Sequence, residues 1–125
     1  MNAHNIEINL FNNGVYKNLE SFLVYFDQTN DVNKCFVYSS MFDIPSLCKY
    51  FISHGANVNE KVKNGHTALH IAAINNSKET PELLLSHGAN VNEKDKYGKT
   101  ALHFAAYHNS KETAELLLSH VANVN

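Results

Sequence analysis

Residues 55–87 and 88–120 are two copies of one 33-residue unit, and this repeat constrains the chain more than any other feature. The first copy reads GANVNEKVKNGHTALHIAAINNSKETPELLLSH and the second GANVNEKDKYGKTALHFAAYHNSKETAELLLSH, so 26 of 33 positions are identical. A third start, VANVN, follows from Val121 to Asn125. A unit of this size cannot bury its apolar faces alone, so copies must stack on one another.

Each unit has a physical reading. Thr67 and Thr100 suit the N-cap of a first helix, TALHIAAI or TALHFAAY. Leu69, Ala72 and Ala73 fall at i, i+3 and i+4, a narrow apolar face whose alanines let a neighbouring helix approach closely. Asn76 and Asn109 suit a left-handed turn, and Ser77 and Ser110 then suit the cap of a second helix. Glu79 and Glu112 stand at the positive end of that helix. Its Leu83, Leu84 and Leu85 form too wide an apolar band for a helix wetted on one side, so it needs cover from both neighbours. Gly88 closes it after His87, free to take positive φ. ANVNEK, a turn carrying Gly65 (Gly98 in the second copy), and His66 then read as a short β-hairpin.

The 33-residue period, with T-A-L-H-x-A-A, then L-L-L, then G-A-N-V-N, resembles the ankyrin repeat. The resemblance implies a mainly α fold: a solenoid of stacked helix-turn-helix units with short β-hairpin fingers. It implies a protein-protein interaction module or scaffold that meets its partner on the fingers and the concave inner-helix surface. It gives Thr67, His70, Thr100 and His103 the role of structural ties, beside the turn glycines Gly65, Gly88 and Gly98. Several positions depart from the family pattern. Ala68 and Ala101 stand for its Pro, and the pairs Asn76-Ser77 and Asn109-Ser110 for its Gly-His. Val62 stands where the second copy has Asp95, which predicts a lost hairpin hydrogen bond. Pro81 deletes an early backbone bond of its helix. Val121 replaces the capping Gly, and a β-branched residue resists positive φ, so the last helix should end differently.

One step of 33 towards the N-terminus places Phe36 at the register of Leu69, Ser39-Ser40 at Ala72-Ala73, and Tyr50-Phe51-Ile52 at the triple leucine. The expected organisation is a capping segment over 1–33, a degenerate repeat over 34–61, a repeat over 62–94, and a truncated repeat over 95–125 without a C-terminal cap. Leu19, Phe22, Leu23 and Phe26 form the stripe of one amphipathic helix near 17–27, read as the cap of the open end or a loosely attached extension. The structure of the Asn-rich residues 1–14 stays open. The last helix pair should show an apolar face: the array continues, the face pairs with a second copy or a partner, or the last repeat frays.

Ten lysines against twelve acidic residues, with no Arg, give a net charge of -2 and no electrostatic footprint for nucleic acid or anionic lipid. No apolar run approaches the ~18 residues of a membrane helix. With no signal-peptide pattern at the N-terminus, a cytoplasmic or nuclear location is expected. Cys35 and Cys48 sit among apolar residues and read as packed thiols rather than a disulfide. Eight histidines invite a metal, but the repeat accounts for five of them: His70 and His103 in the T-A-L-H positions, and His54, His87 and His120 at helix ends. No metal-ligand spacing, phosphate loop or nucleophile elbow is present, so neither cofactor nor enzymatic activity is expected.

The positions that differ between the copies show what stacking leaves free. Asn64, His66, Tyr97 and Lys99 in the fingers, and Ile74, Asn75, Tyr107 and His108 at the end of the first helix, form the expected partner-binding set. The finger positions lie at spacing two, hence on one side of a strand pair. Neutral drift at exposed sites is the competing explanation, Ile71/Phe104 reads as packing, and Tyr97 and Tyr107 are the expected anchors. The primary reading is a module for an unknown protein partner, with self-association through the uncapped C-terminal repeat left open. The alternatives are a structural fragment of a larger array, and an enzyme or nucleic-acid binder. His70 and His103 should both be buried and neutral, with pKa values below the ordinary ~6.5.

Overall fold

The computed structural model describes residues 19–124. Seven α-helices lie among them: α1 (Leu19–Gln28), α2 (Val32–Ser39), α3 (Pro45–Ser53), α4 (Ala68–Ala72), α5 (Glu79–Ser86), α6 (Ala101–Tyr107) and α7 (Lys111–Val124). Two short 3-10 turns, Ser40–Phe42 and Lys63–Gly65, complete the set. Residues 1–14, and the expected first turn of α1 at 17–18, lie outside the described residues.

The helices pair as the repeat requires. α2 packs on α3, α4 on α5 and α6 on α7, while the first helices stack in the order α2, α4, α6 and α3 stacks on α5. Ala72 and Ala73 are fully enclosed at these contacts, where larger side chains would hold the helices apart. Ser39 and Ser40 fill the same register in the first pair. They fit because both hydroxyls turn back to the Phe36 carbonyl, at 2.6 and 3.4 Å, so no buried polar atom is stranded. Cys35 and Cys48 are buried free thiols, and burial pushes Cys35 up to about 12 and Cys48 also upward, so neither is a reactive thiolate.

α1 packs against α2, but not through the stripe expected of it. Phe22 and Tyr25 are fully buried and Phe26 partly so, while Leu19 and Leu23 are exposed. The aromatic rings decide the rotation: Phe22 meets Phe42 and Phe51 edge-on at 5.3 and 6.2 Å, and Tyr25 meets Tyr38 at 5.9 Å. A stripe of wholly apolar residues leaves Tyr25 out, although its ring is a core element.

The fingers are not β-hairpins, for no strand occurs among the described residues. Each is a turn closed by two backbone bonds: Val62 N–H to the His66 carbonyl (2.9 Å) and Gly65 N–H to the Val62 carbonyl (2.9 Å), then Asp95 to Lys99 (2.8 Å) and Gly98 to Asp95 (3.0 Å). Without pleated strands the expected two-residue alternation does not apply. The fingers dock on each other through the Lys96 N–H and the Asn64 carbonyl at 2.8 Å. Gly65 is required there, because a Cβ on it would stand 2.9 Å from the Lys96 nitrogen.

The turns between paired helices differ. Asn109 takes the expected left-handed conformation (φ 55), as does Asp43 at the same register, but Asn76 does not. Pro81 has no N–H to give the Ser77 carbonyl, and α5 starts at Glu79, one register position later than α7. The vacated Ser77 carbonyl is taken by the Thr113 hydroxyl at 2.8 Å. Ser77 does accept an early helix N–H, that of Glu79 at 3.3 Å, whereas the Ser110 hydroxyl caps nothing in its own helix and donates to the Ile74 carbonyl at 3.0 Å. The ends of the second helices differ as the residues at 88 and 121 require. α3 and α5 stop before Gly55 (φ 92) and Gly88 (φ 94), but α7 runs through Val121 to Val124.

Candidate functional site

His70 shows how one unit receives the next. Its Nδ1 accepts the Thr67 N–H at 3.0 Å, so the ring proton sits on Nε2, which donates to the Lys99 carbonyl at 2.9 Å. Burial holds its pKa below the usual value, outweighing the Lys99 carbonyl and the nearby carboxylates. His66 lies beside it, only 5% exposed, with Nε2 3.3 Å from Asp95 Oδ2. Burial and then the neighbouring His70 keep the His66 pKa low despite that carboxylate, so the contact is a hydrogen bond from a neutral imidazole. Asp95 is pushed upward by its own burial. The N–H groups of Lys99 (2.9 Å) and Tyr97 (2.8 Å), with His66, outweigh this and hold it below the ordinary aspartate value. Val62, at the same register, can supply none of these bonds, as expected from the sequence. The Phe104 ring stands 5.2 Å from both imidazoles and closes the cluster.

Beyond this cluster opens a groove of about 630 Å³. Asp95, Tyr97 and Lys99 of the finger form one side. His103, Phe104, Ala106, Tyr107 and His108 of α6 and its C-cap form the other, with His66 also reaching the lining. Tyr97 is 64% and Tyr107 85% exposed, large values for aromatic side chains.

Four of the eight expected binding residues, Tyr97, Lys99, Tyr107 and His108, therefore meet in one place. The other four do not share it as exposed groups. His66 lines the groove from inside, held by Asp95 and Phe104, and is buried where the expected partner-binding set needs it open. Asn64 (φ 67) forms the turn that holds Lys96, Ile74 gives its carbonyl to Ser110, and Asn75 donates to the Met41 carbonyl at 3.0 Å while receiving Thr113 at 2.9 Å. These three serve the stacking of one unit on another. The differing positions do not form one surface, because stacking consumes them in the inner copy and leaves them open in the outer one.

The same asymmetry corrects the expectation for His103. It accepts the Thr100 N–H through Nδ1 at 3.0 Å as His70 accepts Thr67, but it is exposed. Among the described residues nothing lies over it as Lys99 and Phe104 lie over His70. Ala106 is likewise exposed while Ala73 is enclosed. Sequence reasoning missed His103, Phe104 and Ala106 as groove residues. The signal that finds them is the 33-residue step from the buried His70, Ile71 and Ala73.

Of the remaining repeat histidines His54 and His87 stand at helix ends as expected, whereas His120 lies inside α7, which runs on to Val124. His54, His87 and His120 each turn Nδ1 to the carbonyl four residues back, at 2.7, 2.9 and 3.0 Å. Among the described residues no group of three or more His, Cys, Asp or Glu side chains is placed to hold a metal ion, and no helix is long and apolar enough to cross a membrane.

A family model for ankyrin repeats matches residues 36–125 as three copies. The chain belongs to the ankyrin-repeat family. The match includes the degenerate first unit, whose aromatic packing hides the pattern that the later units display openly. No curated protein matches the chain. Ankyrin repeats are generally protein-interaction modules.

Proposed function

We propose that this ankyrin chain is a non-enzymatic interaction module that binds a segment of another protein in the groove between the Tyr97 finger and the Tyr107 end of α6, with α1 capping the opposite end. The supporting observation is the pair of exposed tyrosines flanking a groove of about 630 Å³. Such aromatics supply contact area with few rotors to freeze, which suits them to anchor a partner. Lys99 and His108 supply the polar edge. A cytoplasmic or nuclear setting suits this role and the two free thiols.

Cross-linking in cell extract followed by mass spectrometry tests the proposal, using the intact chain and its Tyr97→Ala/Tyr107→Ala variant at equal helical content by circular dichroism. Partner cross-links to the groove should fall at least about tenfold in the variant, the loss of one to two anchor residues. Cross-links that persist undiminished, or map to α1 instead, overturn the assignment.

A further inference from the structure

The interface between the second and third units is a template for what the groove receives. At that interface three groups of the third unit are taken up by the second. The Asp95 carboxylate meets His66 Nε2 at 3.3 Å, the Lys99 carbonyl accepts from His70 Nε2 at 2.9 Å, and the Phe104 ring lies 5.2 Å from both imidazoles. The 33-residue step carries this receiver onto the groove: Lys99 stands at the register of His66, and His103 at that of His70. His103 keeps the Nδ1 bond to the Thr100 N–H, at 3.0 Å, so its Nε2 carries the proton as in His70. Both Lys99 and His103 line the groove.

The one chemical change at the receiver is Lys for His. At the inner interface a neutral imidazole meets the aspartate. In the groove that register carries the amine of Lys99, a point charge on a flexible stem. Asp95 cannot serve as its counter-ion in the same way, because the amides of Tyr97 and Lys99 and the His66 ring already occupy that carboxylate. Among the described residues no ion pair involves Lys99.

Granting that the groove is the binding surface, we infer that its occupant is a protein segment that presents a carboxylate to Lys99, a backbone carbonyl to His103 Nε2, and an aromatic ring against His103 between the two tyrosines. The carboxylate selects the partner by charge. The aromatic ring supplies the apolar contact, as Phe104 does inside the molecule. A basic or purely aliphatic segment lacks both.

Selection of a displayed random-peptide library on the full chain tests this, with counter-selection on the Tyr97→Ala/Tyr107→Ala variant to retain only groove binders. The selected peptides should be enriched in Asp or Glu together with Phe, Tyr or Trp. Their synthetic forms should bind Lys99→Glu at least about tenfold more weakly, and replacing their acidic residue by Lys should restore binding to that variant. In NMR titrations of the intact chain they should shift the His103 ring signals. Groove binders without acidic enrichment, or indifferent to Lys99→Glu, overturn the inference and leave the binding module standing. Failure to select any groove binder overturns both. A chain that is dimeric by sedimentation, and monomeric once the two tyrosines are replaced, assigns the groove to a second copy and likewise overturns the inference.

Discussion

His70 and His103 occupy the same place in two copies of one unit and make the same bond through Nδ1, yet one is 1% exposed and the other open to solvent. The difference lies in what covers them. Over His70 the next unit lays a carbonyl, an aromatic ring and, through His66, a carboxylate. Ser110, Thr113 and Lys96 of that unit also reach across to carbonyls of the inner one. One sequence pattern thus stands in two environments: where it is covered it is core, and where it is open it lines the groove. Nearly identical residues can differ in energetic weight because burial multiplies the cost of losing a hydrogen bond.

The largest expected consequence is an unequal pair of alanine variants. His70→Ala removes the Lys99 and Thr67 bonds, leaves the buried Thr67 N–H without its acceptor and opens a cavity beside Phe104, which should cost about 3 kcal/mol. His103→Ala loses one bond at an exposed helix start and should cost less than about 1 kcal/mol. Urea denaturation of the two variants checks this, and equal losses would break the comparison. Acid should act on the same side. The folded pKa values of His66 and His70 both lie below the ordinary 6.5, so the unfolded chain takes up protons first. Their stabilising contribution is complete above 6.5 and is lost as the pH falls through that value towards the folded pKa. The depressed Asp95 pKa does not oppose this, because its own contribution is lost only at still lower pH. Urea midpoints should therefore fall between pH about 7.5 and about 5.5, and a flat profile would show that the inner cluster is not buried in solution.

Much of this was legible in the sequence, and the parts that were not share a cause. The period, the helix pairing and the altered end of the last helix follow from local signals: a cap, a run of small residues, a β-branched residue where positive φ is wanted. The lost bonds at Val62 followed from chemistry alone, since an isopropyl group accepts nothing. What local signals do not carry is the identity of the covering neighbour. His66 reads as a partner-binding residue until Asp95 is placed against it, and Asn75 likewise until Met41 and Thr113 claim it. The rotation of α1 was decided by the rings of Phe42, Phe51 and Tyr38, all distant in sequence. The fingers read as strands because alternation of residue types is shared by hairpins and by turns closed through side chains such as Asp95.

The smallest expected effect tests the second point at which the copies part, the residue after each second helix. Gly88 at φ 94 lets the chain turn away after α5: Gly88 N–H reaches the Leu85 carbonyl at 3.1 Å and Ala89 N–H the Leu84 carbonyl at 3.0 Å. That reversal brings Asn90 N–H onto the Asn59 side chain at 2.8 Å, so the next finger depends on it. Gly88→Val puts a β-branched residue into that conformation and should cost about 2 kcal/mol in the urea midpoint. The reciprocal change, Val121→Gly, should restore the stop and shorten α7 by roughly one turn, while altering stability by less than about 1 kcal/mol. Helical ellipticity should drop while the urea midpoint stays nearly constant. Should Val121→Gly leave the ellipticity unchanged, the run of α7 to Val124 would owe nothing to residue 121.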